Sequence, residues 1–450
     1  MTELKNRILP TVQKPARYVG GEWGQICKNK EDVALRVAFC FPDTYEIGMS
    51  NVGMRILYGV MNQIPDVWCE RVFAPWGDME RAMVDNNLPL WALESQDPVK
   101  DFDMVAFTIG YEMSYSNILN MLRLSGIPLH AKDRKDLKNM VFAGGVCAFN
   151  PEPLAEFVDF FSLGEGEEST VQILDCYRRA KQGNWEKDQF LKEVSNIPGV
   201  YVPSFYTHQY DDQGILRAVI PVDGAPEVVT KRIVENLDTA YFPTEMIVPS
   251  TEIVHDRANL EVFRGCIRGC RFCQAGFSCR PVRKKSPEVL YDQARQLMEN
   301  TGFNEVTLSS LSTSDYRGLK ALTDQMLPYC EANHISLSVP SLRADNFSRE
   351  LMEKLQAVRK SGLTFAPEAG TQRLRDVINK NLTEEEILTT CTQAFAGGWS
   401  SVKLYFMLGL PTETDEDVLG IAELVYEVIQ AWKEHAVNKK RGLRVHVATA

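Results

Sequence analysis

The stretch LEVFRGCIRGCRFCQAGF, residues 260–277, joins a short apolar segment to three closely spaced cysteines. Its first part, LEVFRG (260–265), has the length and composition of a buried β-strand. Cys266, Cys270 and Cys273 follow at once with the spacing C-x3-C-x2-C. Because a [4Fe–4S] cluster usually takes four cysteines, three thiolates leave one iron open to another ligand. The stretch therefore predicts an iron–sulfur site directly after a strand.

Apolar segments of the same kind recur every few tens of residues from this strand to the last residue. Five further candidate strands follow, with helical segments between them: EVTLSSL (305–311), HISLSVP (334–340), GLTFAP (362–367), SVKLYFML (401–408) and LRVHVATA (443–450). The first helix has clear ends, since Ser286 can cap it, Pro287 suits its first turn and Gly302 can close it. Six such units predict a partial TIM-like (β/α)6 barrel over residues 259–450. The chain stops in the sixth strand, so we expect either an open barrel or a fragment of a longer protein.

The residues around the three cysteines suit an iron–sulfur cluster. Gly265, Gly269 and Gly276 allow the chain to wrap it closely, and the neighbouring arginines favour thiolates over thiols. The alternative is a zinc site completed by Cys279. That alternative is less favoured, because zinc sites usually combine two Cys-x-x-Cys-like pairs.

This motif resembles that of the radical S-adenosylmethionine (radical SAM) superfamily, which has the three cysteines and an aromatic residue just before the last, here Phe272. The resemblance implies that Cys266, Cys270 and Cys273 hold a [4Fe–4S] cluster whose free iron chelates SAM. It also implies that one electron breaks the C–S bond of SAM and gives a 5′-deoxyadenosyl radical, which removes a hydrogen atom from a substrate. Nearly the whole chain resembles an uncharacterised family of such enzymes with an N-terminal domain of the cobalamin (B12) type.

The resemblance nominates contacts with SAM at the ends of the second and third strands. In the superfamily a Gly-Gly-Glu-like segment often ends the second strand, and here SSLSTSD (309–315) takes its place. The hydroxyls of Ser310 and Ser312 are then the candidates to bind the amino group of SAM. At the end of the third strand, Arg343 is a candidate partner for the carboxylate of SAM or for a substrate.

Two later segments are similar to methylthiotransferase-like relatives. APEAGTQRLRDVINK (366–380) resembles the stretch that lines the ribose there, which makes Glu368 a candidate ligand. YFMLGLPTET (405–414) resembles the strand and glycine turn that pack on adenine, which nominates Met407 and Gly409. For Met407, an ordinary core position is an equally good interpretation.

The N-terminal part, after a polar arm over residues 1–30, also alternates strands and helices. Its candidate parallel strands are ALRVAFCF (34–41), DFDMVAFTIG (101–110), NMVFAGG (139–145) and FVDFFSLGEGE (157–167). The pattern predicts a doubly wound, flavodoxin-like domain over residues 31–182. Residues 183–258 change to β-like segments joined by a DDQG turn, and we interpret them as a bridging segment.

FPDTYEIGMSNVG (41–53) resembles the D-x-H-x-x-G loop of cobalamin-binding domains. Asp43 and Gly48 match this pattern, while Tyr45 stands where the cobalt-ligating histidine should be. Gly144 and Gly145 lie where the backbone of such domains approaches the nucleotide tail. The resemblance implies either a corrinoid with an unligated lower face or a domain that kept the fold without the cofactor.

The charge distribution bears on partners. A net charge of −11 argues against a protein that coats nucleic acid, so a nucleic-acid substrate is not favoured. Seven basic residues and no acidic one occur between Arg264 and Lys285. This basic segment is a candidate docking site for an acidic electron donor such as flavodoxin or ferredoxin, or for an anionic substrate.

Nothing in the chain predicts a membrane span or export. The apolar stretch around residues 104–122 contains polar side chains, and the N-terminus lacks a signal-peptide pattern, so we expect a cytosolic protein. Cysteines without a close partner are interpreted as small buried hydrophobes: Cys27, Cys40, Cys69, Cys147, Cys176, Cys330 and Cys391.

Three functional hypotheses follow. The first is a radical SAM enzyme with an unknown substrate, with cobalamin-dependent methyl transfer as one form. The second is methylthiotransferase-like RNA modification, which needs a second cluster on three more N-terminal cysteines, whereas the four present lie in different elements. The third is a non-catalytic cobalamin or redox sensor with a structural cluster.

Overall fold

The computed structural model describes residues 2–222, 224–340 and 363–450. The chain divides into two compact units. Unit 1 comprises Met1–Glu235 and Ala240–Asp256, and unit 2 comprises Asn236–Thr239 and Arg257–Ala450. Most of the expected bridging segment, residues 183–258, therefore falls in unit 1, while six of its residues, 236–239 and 257–258, belong to unit 2.

Unit 1 is built on a six-stranded sheet. Its strands are β1 (Leu35–Phe41), β2 (Val67–Phe73), β3 (Met104–Thr108), β4 (Met140–Gly144), β5 (Phe160–Ser162) and β6 (Val200–Tyr201). The order across the sheet is β2-β1-β3-β4-β5-β6, and all neighbours are parallel except β5 and β6. The first five strands have the flavodoxin-like order, in which the direction of winding reverses between β1 and β3. The doubly wound fold predicted for this region is confirmed.

Helices pack on both faces of this sheet. One face is covered by Val52–Asn62, Gly166–Gly183 and Lys187–Val194, the other by Gly77–Asp85 and Tyr115–Ser125. Successive residues of β1 point to opposite faces: Val37 and Phe39 join the first core, and Ala38 and Cys40 join the second. Burial on both faces explains why this strand reads as a continuous apolar run.

Strand β2 was not predicted, because its sequence VWCERVF contains two charges. Both are nevertheless buried. The Arg71 guanidinium lies 2.9 Å from the Glu22 carboxylate and 2.6 Å from that of Glu94. Glu70 pairs with Arg36 at 2.5 Å. Distant partners therefore neutralise charges that, in the sequence, look like solvent-exposed ones.

Smaller elements complete unit 1. The helices Thr2–Ile8 and Tyr45–Gly48 are short. Strands β7 (Tyr206–Tyr210) and β8 (Leu216–Pro221) form an antiparallel hairpin. This hairpin confirms the strand pair predicted on either side of the DDQG turn.

Unit 2 contains the predicted series of parallel strands and, in addition, one short antiparallel pair. They are β9 (Ala258–Glu261), β10 (Phe263–Arg264), β11 (Arg283–Lys284), β12 (Glu305–Ser309), β13 (Ser336–Ser338), β14 (Leu363–Glu368), β15 (Ser401–Phe406) and β16 (Arg444–Thr449). Two parallel sheets have the orders β13-β12-β9 and β14-β15-β16, and residues 341–362 between them lie outside the described part of the chain. The predicted strand 260–265 is divided, because β10 pairs with β11 in an antiparallel hairpin. All six predicted βα-type strands are present in the predicted order.

Within the described residues, the α-helices of unit 2 are Ala275–Ser278, Pro287–Thr301, Leu319–Ala332, Gln372–Val377, Glu384–Ala396 and Asp415–His435. Pro287–Thr301 has the predicted ends: the Ser286 hydroxyl accepts from the Val289 amide, and Gly302 ends the helix with φ 70°. The Asp238 carboxylate accepts a hydrogen bond from the Ser286 amide at 2.6 Å. Among the described residues, no helix has the length and apolar character needed to cross a membrane.

A candidate cofactor site at the cysteine loop

Residues 265–274, called the cysteine loop here, belong to unit 2 and directly follow β10, the first strand of a short hairpin. Phe263 pairs with Lys284 across this hairpin, directly before the loop begins. Gly265 has φ 88°, and a Cβ there would lie 2.8 Å from the carbonyl oxygens of Cys279 and Pro281. Glycine is thus required at the entry, because the returning chain passes too close for a side chain.

The three predicted ligands differ in exposure. Cys270 is buried, whereas Cys266 and Cys273 are half-buried. The Arg268 amide donates to Cys266 Sγ at 3.4 Å, a contact of the kind that tunes cluster sulfurs. In the described part of the chain, no group of three or more His, Cys, Asp or Glu side chains is placed to hold a metal ion. The three thiols and their spacing in the sequence fit an iron–sulfur cluster, but their sulfur atoms do not converge on one metal position.

One side of the loop is held by the segment after β12. The Arg268 guanidinium makes two bonds of 2.5 and 3.0 Å to the Asp315 carboxylate. The Ser312 hydroxyl donates to the same carboxylate at 2.7 Å, and the Ser310 hydroxyl lies 2.8 Å from that of Thr313. Both predicted serines therefore already have partners, and Asp315, which the sequence analysis did not nominate, holds the loop.

The other side of the loop is held by residues 377–380, which follow β14 and the helix Gln372–Val377. The Arg271 amide donates to the Ile378 carbonyl at 2.9 Å, and its guanidinium donates to the Val377 carbonyl. The Asn379 side-chain amide donates to the Gly269 carbonyl at 2.8 Å. Sequence reasoning did not nominate Asn379 either.

Glu368 and Phe272, both predicted to contact SAM, lie on either side of one lysine. The β14 ladder shifts register between Phe365 and Glu368, where Pro367 has no N–H to donate, and Glu368 has φ 68°. Lys380 is 8% exposed and lies 3.1 Å from the Glu368 carboxylate. The same ammonium group is 5.9 Å from the centre of the Phe272 ring.

The remaining predicted SAM-binding residues are Met407, Gly409 and Arg343. The Met407 amide donates to the Glu368 carbonyl at 2.7 Å, and its side chain packs on a small apolar cluster. Gly409 has φ 78° and donates its amide to the Glu413 carboxylate at 2.9 Å. Arg343 lies outside the described residues.

The basic segment does not form one solvated face. Lys285 is 2% exposed, and its ammonium donates to the Gln293 side chain at 2.9 Å. Arg264 pairs with Glu261, and Arg280 donates to the Arg268 carbonyl. These charges stabilise the hairpin and the loop, and the interpretation of Lys285 as a docking residue is wrong because it is buried.

In unit 1, Asp43, one of the predicted cobalamin-binding residues, lies at the carboxyl edge of the sheet. At this edge the direction of winding reverses between β1 and β3. The Asp43 carboxylate accepts from the Thr44 amide at 2.7 Å and from the Tyr111 hydroxyl. This hydrogen bond raises the pKa of Tyr111 to about 12. The Asn117 side chain donates to the Pro42 carbonyl at 3.0 Å. Asp43 therefore links the loops that follow β1 and β3.

Tyr45 and Gly48 lie inside the fold. Tyr45 is 1% exposed, and its hydroxyl donates to the Glu22 carboxylate at 2.9 Å. Its ring packs edge-on against Phe73 with the centroids 5.2 Å apart. A Cβ on Gly48 would lie 2.3 Å from the Phe73 ring. Since Tyr45 points into the protein, the structure does not support it as a cobalt-facing residue.

The two adjacent glycines after β4 also have a packing explanation. Gly145 has φ 105°, and a Cβ there would lie 2.6 Å from the Ile109 carbonyl oxygen. At Gly144 the corresponding distance to the Ser162 carbonyl oxygen is 3.3 Å. Close approach to Ile109 therefore requires glycine at position 145, while the contact with Ser162 favours a small residue at position 144.

The cysteines outside the loop separate into buried and exposed positions. The predicted burial is wrong for Cys27, which is exposed, and confirmed for Cys40, Cys69, Cys147, Cys176, Cys330 and Cys391. Burial raises the pKa of Cys147 to about 11. A thiol with so high a pKa is a poor metal ligand, because metals bind the thiolate.

Family models match both units. "Radical SAM proteins, N-terminal" matches residues 53–203, and "Radical SAM superfamily" matches residues 260–425, which includes the cysteine loop. Together with the parallel α/β architecture, these matches define the class of protein. The chain belongs to the radical SAM superfamily and is a radical SAM enzyme. The hypothesis of a non-catalytic sensor is therefore wrong.

Two relatives illustrate its similarity to other sequences. An uncharacterised protein of Methanocaldococcus jannaschii is 29% identical over 396 residues, which cover 87% of this chain and 73% of that protein. The threonylcarbamoyladenosine tRNA methylthiotransferase of Bacillus subtilis is 24% identical over 287 residues, which cover 59% of this chain and 57% of that enzyme. The methylthiotransferases are thus distant relatives.

Two solved enzymes share the fold. The radical SAM methyltransferase TsrM from Kitasatospora setae, with cobalamin and a [4Fe–4S] cluster bound, gives a TM-score of 0.56 at 13% identity, covering 88% of this chain and 71% of that one. The cobalamin-dependent SAM radical enzyme OxsB gives 0.53 at 12% identity, covering 87% and 51%. The chain spans about half the length of OxsB.

Proposed function

We propose that Cys266, Cys270 and Cys273 hold a [4Fe–4S] cluster at which SAM binds. When bound and reduced, such a cluster supplies the electron that converts SAM into a 5′-deoxyadenosyl radical. The observation that carries the proposal is the cysteine loop itself, in which three thiols lie within eight residues and the chain on both sides is fixed by Asp315 and Asn379. Hydrogen bonds that fix the backbone reduce the conformational entropy lost when a cofactor enters, and the three thiols then have to turn towards the cluster.

Lys380 supports the proposed position of SAM. It joins Glu368, at the end of β14, to Phe272 in the cysteine motif. A buried pair of one cation and one carboxylate suits a zwitterionic ligand with ribose hydroxyls, because each charge can bind a different polar group. The other proposed SAM contacts are Ser310, Ser312, Arg343, Met407 and Gly409.

An anaerobic reconstitution tests this proposal. Protein loaded with iron and sulfide should show the paramagnetic signal of a reduced cluster, and that signal should change when SAM is added. A reductant should then release 5′-deoxyadenosine, or S-adenosylhomocysteine if a methyl group is transferred. A cluster whose signal ignores SAM would contradict the proposal, and zinc in place of iron would favour the alternative metal.

We further propose cobalamin-dependent methyl transfer as the reaction type. The flavodoxin-like strand order provides a ligand crevice at the carboxyl edge of the sheet, between β1 and β3. Asp43 lies at that edge, with Gly144 and Gly145 at the end of β4. Because Tyr45 is buried against Glu22, we expect the corrinoid to bind without a protein ligand from this loop. TsrM and OxsB, which share the fold, contain cobalamin.

Corrinoid binding is tested by incubating the protein with hydroxocobalamin and removing the excess by gel filtration. We expect retained cobalamin whose cobalt(II) spectrum lacks nitrogen coupling. Tyr45→His should give the same spectrum, since a side chain at this position points into the protein. Nitrogen coupling in Tyr45→His would show that position 45 faces the cobalt. If no corrinoid is retained, the domain has the cobalamin-type fold but does not bind the cofactor.

RNA methylthiolation remains a second candidate, prompted by the distant methylthiotransferase relatives. It requires a second cluster, so iron counting separates the two reactions. We expect about four irons per chain, whereas about eight would favour methylthiolation, if each cluster has four irons.

We propose an acidic electron donor such as flavodoxin or ferredoxin, which the predicted cytosolic location would make available. Of the two lysines in the basic segment, Lys284 is exposed and Lys285 is buried. Lys284→Glu should slow reduction by such a donor and leave reduction by dithionite unchanged. Equal rates with the donor would contradict docking at this segment.

A further inference from the structure

We propose that Asn379 is a positioning residue for the cluster: its side chain holds the peptide between Gly269 and Cys270 in the orientation that cluster binding requires. The inference rests on the proposed function, since it concerns the same loop. It assigns a role to a residue that lies 110 positions from Gly269 in the sequence and outside the cysteine motif.

The first step is the contact itself. The Asn379 side-chain amide donates to the Gly269 carbonyl oxygen at 2.8 Å. Next to it, the Arg271 amide donates to the Ile378 carbonyl at 2.9 Å. Two hydrogen bonds therefore join residues 378–379 to residues 269–271, on either side of the buried Cys270. A rotation of the Gly269–Cys270 peptide would break the first of them.

The second step is the fit between the two residues. A Cβ added to Gly269 would lie 3.1 Å from Asn379 Nδ2, so the asparagine occupies the space that glycine leaves. Asn379 itself has φ 53°, a left-handed conformation that asparagine adopts more readily than most residues. Both the backbone conformation and the side-chain donor thus select asparagine at this position.

The third step is the opposite side of the loop. Arg268, which precedes Gly269, is held by the Asp315 carboxylate, and its amide donates to Cys266 Sγ. The backbone from Cys266 to Arg271 is therefore fixed at Arg268 from one side and at Gly269 from the other. Residues that orient metal ligands from outside typically change metal affinity about 10–100-fold when they are replaced.

The test uses two variants and a matched control. Asn379→Gly keeps the left-handed backbone and removes the donor, whereas Asn379→Asp keeps the size and points a carboxylate at the Gly269 carbonyl. The control is Asn139→Gly in unit 1. Asn139 has φ 52°, and its side chain also donates to backbone carbonyls, those of Lys100 and Phe102.

All four proteins are reconstituted anaerobically, and the loss of the cluster to an iron chelator is followed by visible absorbance. We expect both Asn379 variants to lose iron about 10–100-fold faster than the unchanged protein, with Asn379→Asp the faster of the two. Asn139→Gly should match the unchanged protein. Thermal unfolding of the iron-free proteins shows whether each variant folds, and Asn379→Gly carries the test if Asn379→Asp does not.

Each outcome decides something different. Equal rates of iron loss in all four proteins would overturn the positioning role while leaving the cluster proposal intact. Faster loss in Asn139→Gly as well would also overturn it, because the effect would then be general instability. Failure of the unchanged protein to take up iron would overturn the proposed function and, with it, this inference.

Discussion

Two loops of this protein occupy comparable places, one after the first strand of unit 1 and one after the second strand of unit 2, and they are built in opposite ways. Residues 42–51 follow β1 in unit 1, and the cysteine loop follows β10 in unit 2. In the first, Tyr45 and Gly48 are buried among the residues of their own unit's core. In the cysteine loop, Ile267 is 64% exposed and Phe272 is 38% exposed.

The two loops differ in the contacts that fix their conformations. The first loop is fixed by the packing of Tyr45 and Gly48 and by the hydrogen bond from Tyr45 to Glu22, which pairs with Arg71. The cysteine loop is fixed from outside, by hydrogen bonds that residue 315 and residues 377–379 make with its backbone and with its arginine side chains. A loop of the second kind is better suited to hold a cofactor.

The largest expected effect concerns the thiols. Cys270→Ala should remove almost all cluster iron and sulfide, because the loop then offers two thiolates. Cys279→Ala is the matched control, five residues beyond the loop, and should keep the cluster. Iron and acid-labile sulfide per chain measure both. If Cys279→Ala loses the metal equally, the site uses four thiols and the zinc alternative returns.

The next effect tests the internal network of unit 1. Arg71→Met leaves Glu22 and Glu94 buried without their counter-charge, which should lower the free energy of unfolding by about 3–5 kcal/mol. Arg268→Met in the cysteine loop removes a partly exposed ion pair and should cost about 1 kcal/mol or less. Urea unfolding followed by circular dichroism compares the two. Similar costs would break the distinction between the loops.

Glycines sharpen the same distinction. In Gly48→Ala the new methyl group meets the Phe73 ring, and this overpacking should cost about 1–3 kcal/mol of stability. In Gly269→Ala the nearest atom is Asn379 Nδ2, so stability should change by about 0.5 kcal/mol or less while iron is lost faster to a chelator. A Gly269→Ala protein that unfolds as early as Gly48→Ala would count against a loop fixed from outside.

The smallest effect separates two tyrosines of unit 1. Tyr45→Phe removes a buried hydrogen bond to Glu22 and should cost about 1 kcal/mol. Tyr111→Phe removes a bond to Asp43 at the exposed edge of the sheet and should cost about 0.5 kcal/mol or less. Thermal unfolding of both variants compares these two losses of stability. A larger loss in Tyr111→Phe would show that the hydrogen bond at the sheet edge contributes more to stability than the buried one.

What the sequence predicts here depends on how far apart the interacting residues are. Apolar strands, helix ends such as Ser286 and Gly302, and the spacing of the cysteines are local signals, and they were sufficient for both α/β units. Strand β2 was missed because its two charges have distant partners. Glu22 and Glu94 neutralise Arg71, and Arg36 neutralises Glu70, each from more than twenty residues away.

The same reason applies to the candidate site. An asparagine after a short helix indicates a left-handed turn, which is a local signal for the backbone of Asn379. Nothing local indicates that its side chain reaches Gly269. Asp315 likewise lies in the hydroxyl-rich segment 309–315, of which only the serines were predicted to bind SAM. Its partner Arg268 is 47 residues away in the sequence.

The segment Asn236–Thr239 belongs to unit 2 although residues of unit 1 follow it in the sequence. A single cut in the chain therefore cannot separate the two units cleanly. A division at residue 259, where the barrel pattern begins, would separate the Asp238 carboxylate from the Ser286 amide that opens the helix Pro287–Thr301. A recombinant protein that carries this barrel on another N-terminal domain should therefore retain Asn236–Thr239.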